Sequence, residues 1–443
     1  MNVCPECFTQ PGLKARIIKL RPTESEGPCD AHPHLKGVPI KTVADVVDPV
    51  FRELYVGAPD DGNSWATGRG DILVDVLYDL TGAADDDILH AMIEQLMEDD
   101  DYWPPDGEEA FYDPEYRYIS MPQDFGHHAV FWSNFCKSLM YGQRFFNGDA
   151  ERYLTGIFKG VQQQRNAEGQ GPIYLIQPDD PQATFFRARF ADTLKDAREI
   201  KAKLSERLGP PPERARRAGR LNPSGIAAFY GAFDLETCIA ELRPNVGRGV
   251  IGAQFRITEP ICVLDTTRFD AAPKSPNLFA AGALPRARQW RFMRVFMDEI
   301  AKPVSEDDAH LDYLPTQAVA EFLNGRFKVK LAGEHRAVDA IIFRSAQRPA
   351  GKNIVLLGDA AVVGAPGGQV EAAPLATADE ELGWDWAEDR PSRPVRITPL
   401  VDTVVTRRIN GAEFQSVEIP DDDALLDAED YEVLAVEPEL DDF

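Results

Sequence analysis

The chain has 443 residues, 44% of them hydrophobic, and a formal net charge of −26 at pH 7. This length exceeds what one hydrophobic core usually supports, so about two or three domains are expected. The negative charge would repel phosphates, which argues against DNA, RNA or an anionic membrane as a general partner. Six cysteines are too few for a disulfide scaffold. Without a signal-peptide pattern or a long apolar window, we expect a soluble, cytoplasmic protein.

Two pairs of potential metal ligands lie near the start of the chain, and each pair is separated by two residues. They are Cys4 with Cys7, and Cys29 with His32. Structural zinc prefers four thiolate and imidazole ligands in a tetrahedron, and two short loops can supply them without a large core. Residues 1–40 are therefore predicted to form a structural zinc knuckle. His34 remains an alternative to His32, and surface cysteines beside a histidine-containing loop are the competing interpretation.

Apolar residues recur at helical spacing through residues 41–166, which predicts a mainly α-helical domain. Pro49 should kink or divide the first of these helices. A longer helix is predicted over residues 126–146. The polar and glycine-rich residues 167–171 then mark a domain boundary.

The most informative stretch begins with an arginine in a glycine- and proline-marked turn, residues 219–225, which contains Arg220 and Asn222. A short apolar run follows and ends at Tyr230. The next segment has helical spacing and places Glu241 beside its buried stripe. Such a combination of cation, aromatic ring and carboxylate suits a site for an anionic ligand that develops positive charge.

This order of motifs, completed by Ser345 after an apolar strand at 340–343, resembles the RES family, which is named for its arginine, glutamate and serine. The resemblance extends over residues 171–364 and implies an α+β fold related to ADP-ribosyltransferases, with a mixed β core and helices. It also implies cleavage of NAD+ at the nicotinamide–ribose bond. The preceding helical domain with its zinc knuckle would be an addition to this core.

The resemblance also implies roles for individual residues. Glu241 would stabilise the cationic ribose, and the arginines would hold the phosphates. Arg187 matches the first arginine of the family, and Arg189 shares its strand face, which suits a pyrophosphate clamp; solvated charges on an edge strand are the alternative. The implied catalytic residues are Arg220, Glu241 and Ser345, and the implied NAD+-binding residues are Arg187, Arg189, Asn222 and Tyr230.

The helical residues 41–166 resemble the HEPN-type module that often precedes a RES domain. Many HEPN modules are ribonucleases that use an arginine followed a few residues later by a histidine. The corresponding stretch here, residues 144–152, contains no histidine. Ribonuclease activity is therefore not expected.

Residues 365–443 are predicted to form an acidic carboxyl-terminal extension with a strand at 395–405 and a disordered tail. One hypothesis is that acidic and aromatic groups of this extension, Trp384 and Trp386 among them, fold over the arginine-lined pocket and inhibit it.

The leading interpretation is an NAD+ phosphorylase or glycohydrolase that acts as a toxin or defence effector. An ADP-ribosyltransferase that modifies a protein, and a non-catalytic RES-like binding protein, are alternatives. Water, phosphate and a protein all remain open as acceptors of the ADP-ribosyl group. Expected partners are NAD+, a built-in or separate antitoxin-like protein, and a second copy of the chain in a homodimer.

Overall fold

The computed structural model describes residues 1–21, 27–58, 70–100, 110–114, 116–120, 127–271, 277–301, 309–365, 369–370 and 393–411. Within these residues the chain forms eleven α-helices and eighteen β-strands. The helices are α1 (Pro11–Leu20), α2 (Ile40–Leu54), α3 (Leu73–Thr81), α4 (Asp86–Asp99), α5 (His127–Tyr141), α6 (Gly148–Phe158), α7 (Leu194–Ala202), α8 (Leu204–Leu208), α9 (Leu235–Ala240), α10 (Ala283–Ala301) and α11 (Ala309–Gly325). None of these described helices has the length and apolar character needed to cross a membrane.

The strands divide among one large sheet and four small ones. They are β1 (Asn2–Val3), β2 (Gly27–Pro28), β3 (Lys36–Pro39), β4 (Tyr55–Ala58), β5 (Asp71–Ile72), β6 (Arg117–Ser120), β7 (Ile173–Ile176), β8 (Thr184–Phe190), β9 (Ala228–Ala232), β10 (Gly249–Ile257), β11 (Ile261–Asp265), β12 (Val329–Leu331), β13 (Glu334–Arg336), β14 (Ala340–Arg344), β15 (Lys352–Leu357), β16 (Gln369–Val370), β17 (Arg393–Pro394) and β18 (Ile397–Arg408).

The described residues up to 120, which we call the amino-terminal lobe, form one hydrophobic core together with Phe279 from the later chain. The cysteine-containing segment contributes Cys4, Cys7 and Cys29 to the same core as the helices α1 to α4. Of the two expectations for Pro49, division of the first helix is wrong, because α2 is continuous from Ile40 to Leu54, and a kink stays a prediction. Burial of one apolar face of α2 outweighs the single backbone hydrogen bond that proline removes.

The main sheet has eight strands in the order β18-β10-β8-β9-β15-β14-β11-β7. Its pairings are antiparallel except for β11 with β14, so the sheet is mixed. This mixed sheet with helices confirms the general α+β architecture. Strands β8 and β9 share one residue pair, Phe186 with Ala232, and the two halves of the sheet therefore meet over a short join.

Helices α5, α6, α10 and α11 pack on one face of the main sheet, where Phe135, Phe158 and Phe296 share a core with Ile341 and Val355. The predicted helical region 41–166 thus contributes to two cores, its first part to the amino-terminal lobe and its second part to the main sheet. The predicted helix at residues 126–146 is present as α5, and α6 follows it as a separate helix that Asn147 caps through a hydrogen bond from the Ala150 N–H.

Strand β18 comes from beyond residue 364 and pairs with β10 from Gly249 opposite Arg408 to Ile257 opposite Ile397. The expected strand at 395–405 is therefore present, and it completes the main sheet. Trp384, Trp386 and the acidic tail from residue 412 lie outside the described residues. The hypothesis that this extension inhibits the pocket stays a prediction.

Buried polar contacts join the amino-terminal lobe to the rest of the chain. Glu53 of α2 is 8% exposed and binds two arginines of α10, Arg288 and, at 3.3 Å, Arg291. Between these two arginines, Gln289 accepts a hydrogen bond from Gln164 at 2.9 Å. Helix α10 therefore contacts both the amino-terminal lobe and the main-sheet core.

Candidate active site and metal cluster

The arginine turn is held together by the Tyr230 hydroxyl, which accepts a hydrogen bond from the Leu221 N–H at 3.0 Å and donates one to Asn222 Oδ1 at 2.8 Å. The Asn222 amide donates in turn to three backbone carbonyls of the same loop. Gly219 allows this close packing, because a Cβ there would lie 2.6 Å from the Tyr230 hydroxyl. Asn222 and Tyr230 therefore shape the backbone around Arg220.

Helix α11 fixes the same turn from the other side. The Thr316 hydroxyl donates to the Arg220 carbonyl at 2.5 Å, and the Gln317 amide donates to the Gly219 carbonyl at 2.8 Å. Thr316 and Gln317 lie inside α11, which begins at Ala309. The Thr316 hydroxyl and the Gln317 amide hold the backbone that carries Arg220.

Glu241 follows the last residue of α9, a helix whose start is capped by Asp234. Its Oε1 accepts hydrogen bonds from Ser345 Oγ at 2.6 Å and from Asn353 Nδ2 at 2.7 Å. A carboxylate at a helix C-terminus faces the negative end of the helix dipole. The two donors offset that unfavourable interaction and hold the carboxylate against the sheet.

Ser345 reaches Glu241 because the turn between β14 and β15 packs on α9. The Ser345 N–H donates to the Gly351 carbonyl at 2.9 Å, which closes the turn. At Gly351 a Cβ would lie 2.4 Å from the Thr237 hydroxyl of α9, so glycine permits the contact. Arg348 of the same turn binds Asp234 at the start of α9.

Arg220 lies beside the ring of Tyr313. Burial lowers the pKa of Arg220, while Tyr313 and Glu241 act in the opposite direction through their charges. The guanidinium carbon lies 5.8 Å from the centre of the Tyr313 ring. Arg220 and Glu241 are thus close enough to interact electrostatically across the site.

Arg187 and Arg189 have different surroundings although they lie two residues apart on β8. Arg187 donates to the Tyr230 carbonyl at 2.9 Å, and burial lowers its pKa to about 10. Its charge also acts on Cys238 of α9, whose thiol pKa is raised to about 12 by burial. Arg189 instead donates to the Gly209 carbonyl at 3.0 Å, at the end of α8.

The structure brings Glu241, Ser345 and Arg220 together, with Asn222 and Tyr230 supporting the arginine turn. Sequence reasoning did not identify Asn353, Tyr313 or the roles of Thr316 and Gln317. An asparagine inside an otherwise apolar strand was a visible signal for Asn353. The contacts of α11 had no comparable local signal, because its partners lie 96 and 98 residues away along the chain.

The four predicted metal ligands converge in the amino-terminal lobe. Their donor atoms all lie within 4.8 Å of one another, in the set Cys4, Cys7, Cys29 and His32. The sulfurs of Cys7 and Cys29 are 3.5 Å apart, and His32 Nδ1 lies 3.5 Å from the Cys7 sulfur. Ligands about 2.0–2.3 Å from a tetrahedral ion would be separated by about 3.5–3.8 Å. The cluster is therefore a possible metal site, and His34 is not part of it.

The thiol pKa values in this cluster differ. Burial alone would raise the pKa of Cys29, but hydrogen bonds from the His32 backbone, Cys7 and the His32 ring lower it to about 7. The His32 N–H lies 3.3 Å from the Cys29 sulfur, which it approaches as a donor. Backbone donors of this kind are typical of thiolate ligands in small metal-binding loops.

One family model matches part of the chain. The model of the RES domain matches residues 185–385, a span that contains all seven predicted active-site residues. This span is similar to a RES domain, and the match suggests an NAD+-acting enzyme in general terms. No curated protein and no solved structure matched the chain. The HEPN-like character of residues 41–166 remains a prediction.

Proposed function

We propose that the chain consumes NAD+ by cleaving the bond between nicotinamide and ribose. The observation that carries this proposal is the carboxylate of Glu241, held by Ser345 and Asn353 within reach of the charge of Arg220. A fixed anion near a half-buried cation is suited to a substrate that carries a diphosphate and develops positive charge on its sugar.

In the proposed complex Arg220 binds the diphosphate, since a guanidinium matches phosphate oxygens in a bidentate manner. Arg187 contributes a second positive charge from the neighbouring strand. Asn222 and Tyr230 act by fixing the arginine turn, and the exposed part of the Tyr230 and Tyr313 rings provides apolar surface for the base or ribose. Ser345 acts through its hydrogen bond to Glu241.

The proposed reaction breaks the bond between ribose C1′ and nicotinamide N1, and the electron pair leaves with nicotinamide, which becomes neutral. Positive charge then spreads over C1′ and the ring oxygen. Glu241 stabilises that charge more in the transition state than in bound NAD+, which is the condition for acceleration. An oxygen of water or phosphate forms the new bond to C1′ and releases a proton to solvent.

Glu241→Gln tests this role, because the amide preserves the shape of the side chain and removes its charge. Nicotinamide release should fall by about a hundredfold or more, while the Kd for NAD+ changes little. Glu236→Gln is a matched control, since Glu236 is an exposed carboxylate on the same helix. Turnover by Glu241→Gln equal to that of the control would reject the catalytic assignment.

Product analysis separates the proposed reaction from its alternatives. Incubation with NAD+ in the presence and absence of phosphate, followed by mass spectrometry, distinguishes ADP-ribose from its phosphate ester. A mass increase of a protein acceptor would indicate ADP-ribosyl transfer. Binding of NAD+ without any nicotinamide release would favour a non-catalytic binding protein.

We further propose that the metal cluster holds one zinc ion with a structural role, because four protein ligands leave no open position for chemistry. A toxin or defence role would follow from NAD+ depletion in the cell. Loss of growth on expression, abolished by Glu241→Gln, would support it. The amino-terminal lobe is then a candidate for a built-in replacement of a separate antitoxin.

A further inference from the structure

Asn353 is the one polar side chain among the four inner residues of β15, and it is 6% exposed. On the two sides it pairs with Ala232 of β9 and Phe343 of β14, so its backbone belongs to the centre of the sheet. Burying an amide is unfavourable unless its groups form hydrogen bonds. Its side-chain N–H group donates to Glu241 Oε1 at 2.7 Å.

Both bonds to Glu241 end on the same oxygen. Ser345, 7% exposed, donates to Oε1 from the end of β14, and Asn353 donates to it from β15. Within the described part of the chain no side chain is hydrogen-bonded to Oε2, and Glu241 as a residue is exposed. Two donors on one oxygen restrict the rotation of the carboxylate and leave Oε2 without a side-chain hydrogen bond from the described residues.

We infer that Asn353 is a positioning residue for the proposed reaction, which orients the Glu241 carboxylate so that Oε2 faces the ribose of NAD+. This inference rests on the proposed function. Asn353 is buried beneath Glu241 and acts on the substrate through it. Ser345 has the same geometric role, and its hydroxyl also accepts a hydrogen bond from the Gln347 N–H at 3.2 Å.

A purely structural role for Asn353 makes a different prediction. If the amide only attached α9 to the sheet, its loss would lower thermal stability and affect binding and turnover together. If it orients the carboxylate, its loss should lower kcat and leave KM and the Kd for NAD+ nearly unchanged. The separation of kcat from KM therefore distinguishes the two roles.

Asn353→Leu is the first variant, because leucine has a similar volume and suits a sheet core. Asn353→Asp is the second, since it keeps the shape but replaces the donor by a second carboxylate. Asn324→Leu is the control: this half-buried amide of α11 donates to the Val338 carbonyl at 2.9 Å and has no contact with Glu241. Steady-state kinetics of nicotinamide release, calorimetric NAD+ binding and melting temperature are measured for each.

We expect kcat of both Asn353 variants to fall by about ten- to a hundredfold, as for loss of a charge-assisted hydrogen bond, with KM within about twofold of the wild type. Turnover by both variants equal to that of Asn324→Leu would overturn the inference and leave the proposed function intact. A fall in kcat matched by weaker binding and lower melting temperature would also overturn it. Failure of the wild type itself to release nicotinamide would reject both.

Discussion

The amino-terminal lobe and the main sheet each bring polar side chains together, but over very different distances along the chain. The metal cluster joins residues at most 28 positions apart. At the candidate active site Glu241 binds side chains 104 and 112 positions away. In the lobe a metal ion would itself contribute to holding its ligands, whereas the orientation of Glu241 depends on a completed sheet.

Removal of the metal should have the largest effect, and it should be confined to the lobe. We expect about one zinc per chain. Structural zinc sites bind the ion with roughly 10–16 kcal/mol. Cys29→Ser or chelation should therefore lower the free energy of unfolding of the lobe by several kcal/mol. The unfolding of the main sheet should remain a separate, later transition. Metal analysis and calorimetry measure both effects.

Cys136→Ser serves as the control for the metal experiment, because Cys136 lies on α5, outside the cluster. A protein that contains no zinc, or a Cys29→Ser variant that melts like the control, would contradict the proposed structural metal. A single transition that shifts as a whole would show instead that the lobe and the sheet unfold together.

Glu53 provides the next largest effect, because it joins the two regions. Its side chain is 5% exposed and contacts Arg288 and Arg291, which are themselves partly exposed. Glu53→Gln would remove the charge of the buried carboxylate that both arginines contact, at a cost of about 3 kcal/mol. Chemical denaturation should detect this loss in the free energy of unfolding.

The control for Glu53 is Glu213→Gln, which removes an exposed carboxylate 3.9 Å from Arg216. Exposed pairs of this kind contribute about 0–1 kcal/mol, so the control should be close to the wild type. Equal stabilities for the two variants would mean that the carboxylate of Glu53 does not stabilise the contact between the lobe and α10.

The contrast between the two regions also explains how much could be predicted from sequence. Ligand spacing located the metal cluster because Cys4, Cys7, Cys29 and His32 meet through two short loops. Arg220, Glu241 and Ser345 were located through the order of family motifs, and not through their spacing. Asn353 could not be paired with Glu241 beforehand, since their contact depends on the order of β9, β15 and β14 in the sheet.

The same limit applies to whole elements. Periodicity identified the helical content of residues 41–166 and the helix predicted at 126–146, because apolar spacing reflects burial of one face. It could not show which core each face would join, and α5 and α6 pack on the main sheet although the sequence grouped them with the first helices. The position of β18 was likewise not predictable, because alternation shows that a strand exists but not which strand it pairs with.

The smallest of these effects concerns the two arginines that the structure separates. Arg220 shares the site with Glu241, whereas Arg189 donates to the Gly209 carbonyl beside Arg207. Arg220→Gln should weaken NAD+ binding by about ten- to a hundredfold, the effect of losing one charge-assisted contact to phosphate. Arg189→Gln should change the Kd by less than about threefold, because its guanidinium is directed toward α8. Calorimetric titration of both variants with NAD+ makes the comparison at constant ionic strength.

If Arg189→Gln weakened NAD+ binding more than Arg220→Gln, the diphosphate would lie on the α8 side of the sheet. Glu241 could not then lie beneath the ribose.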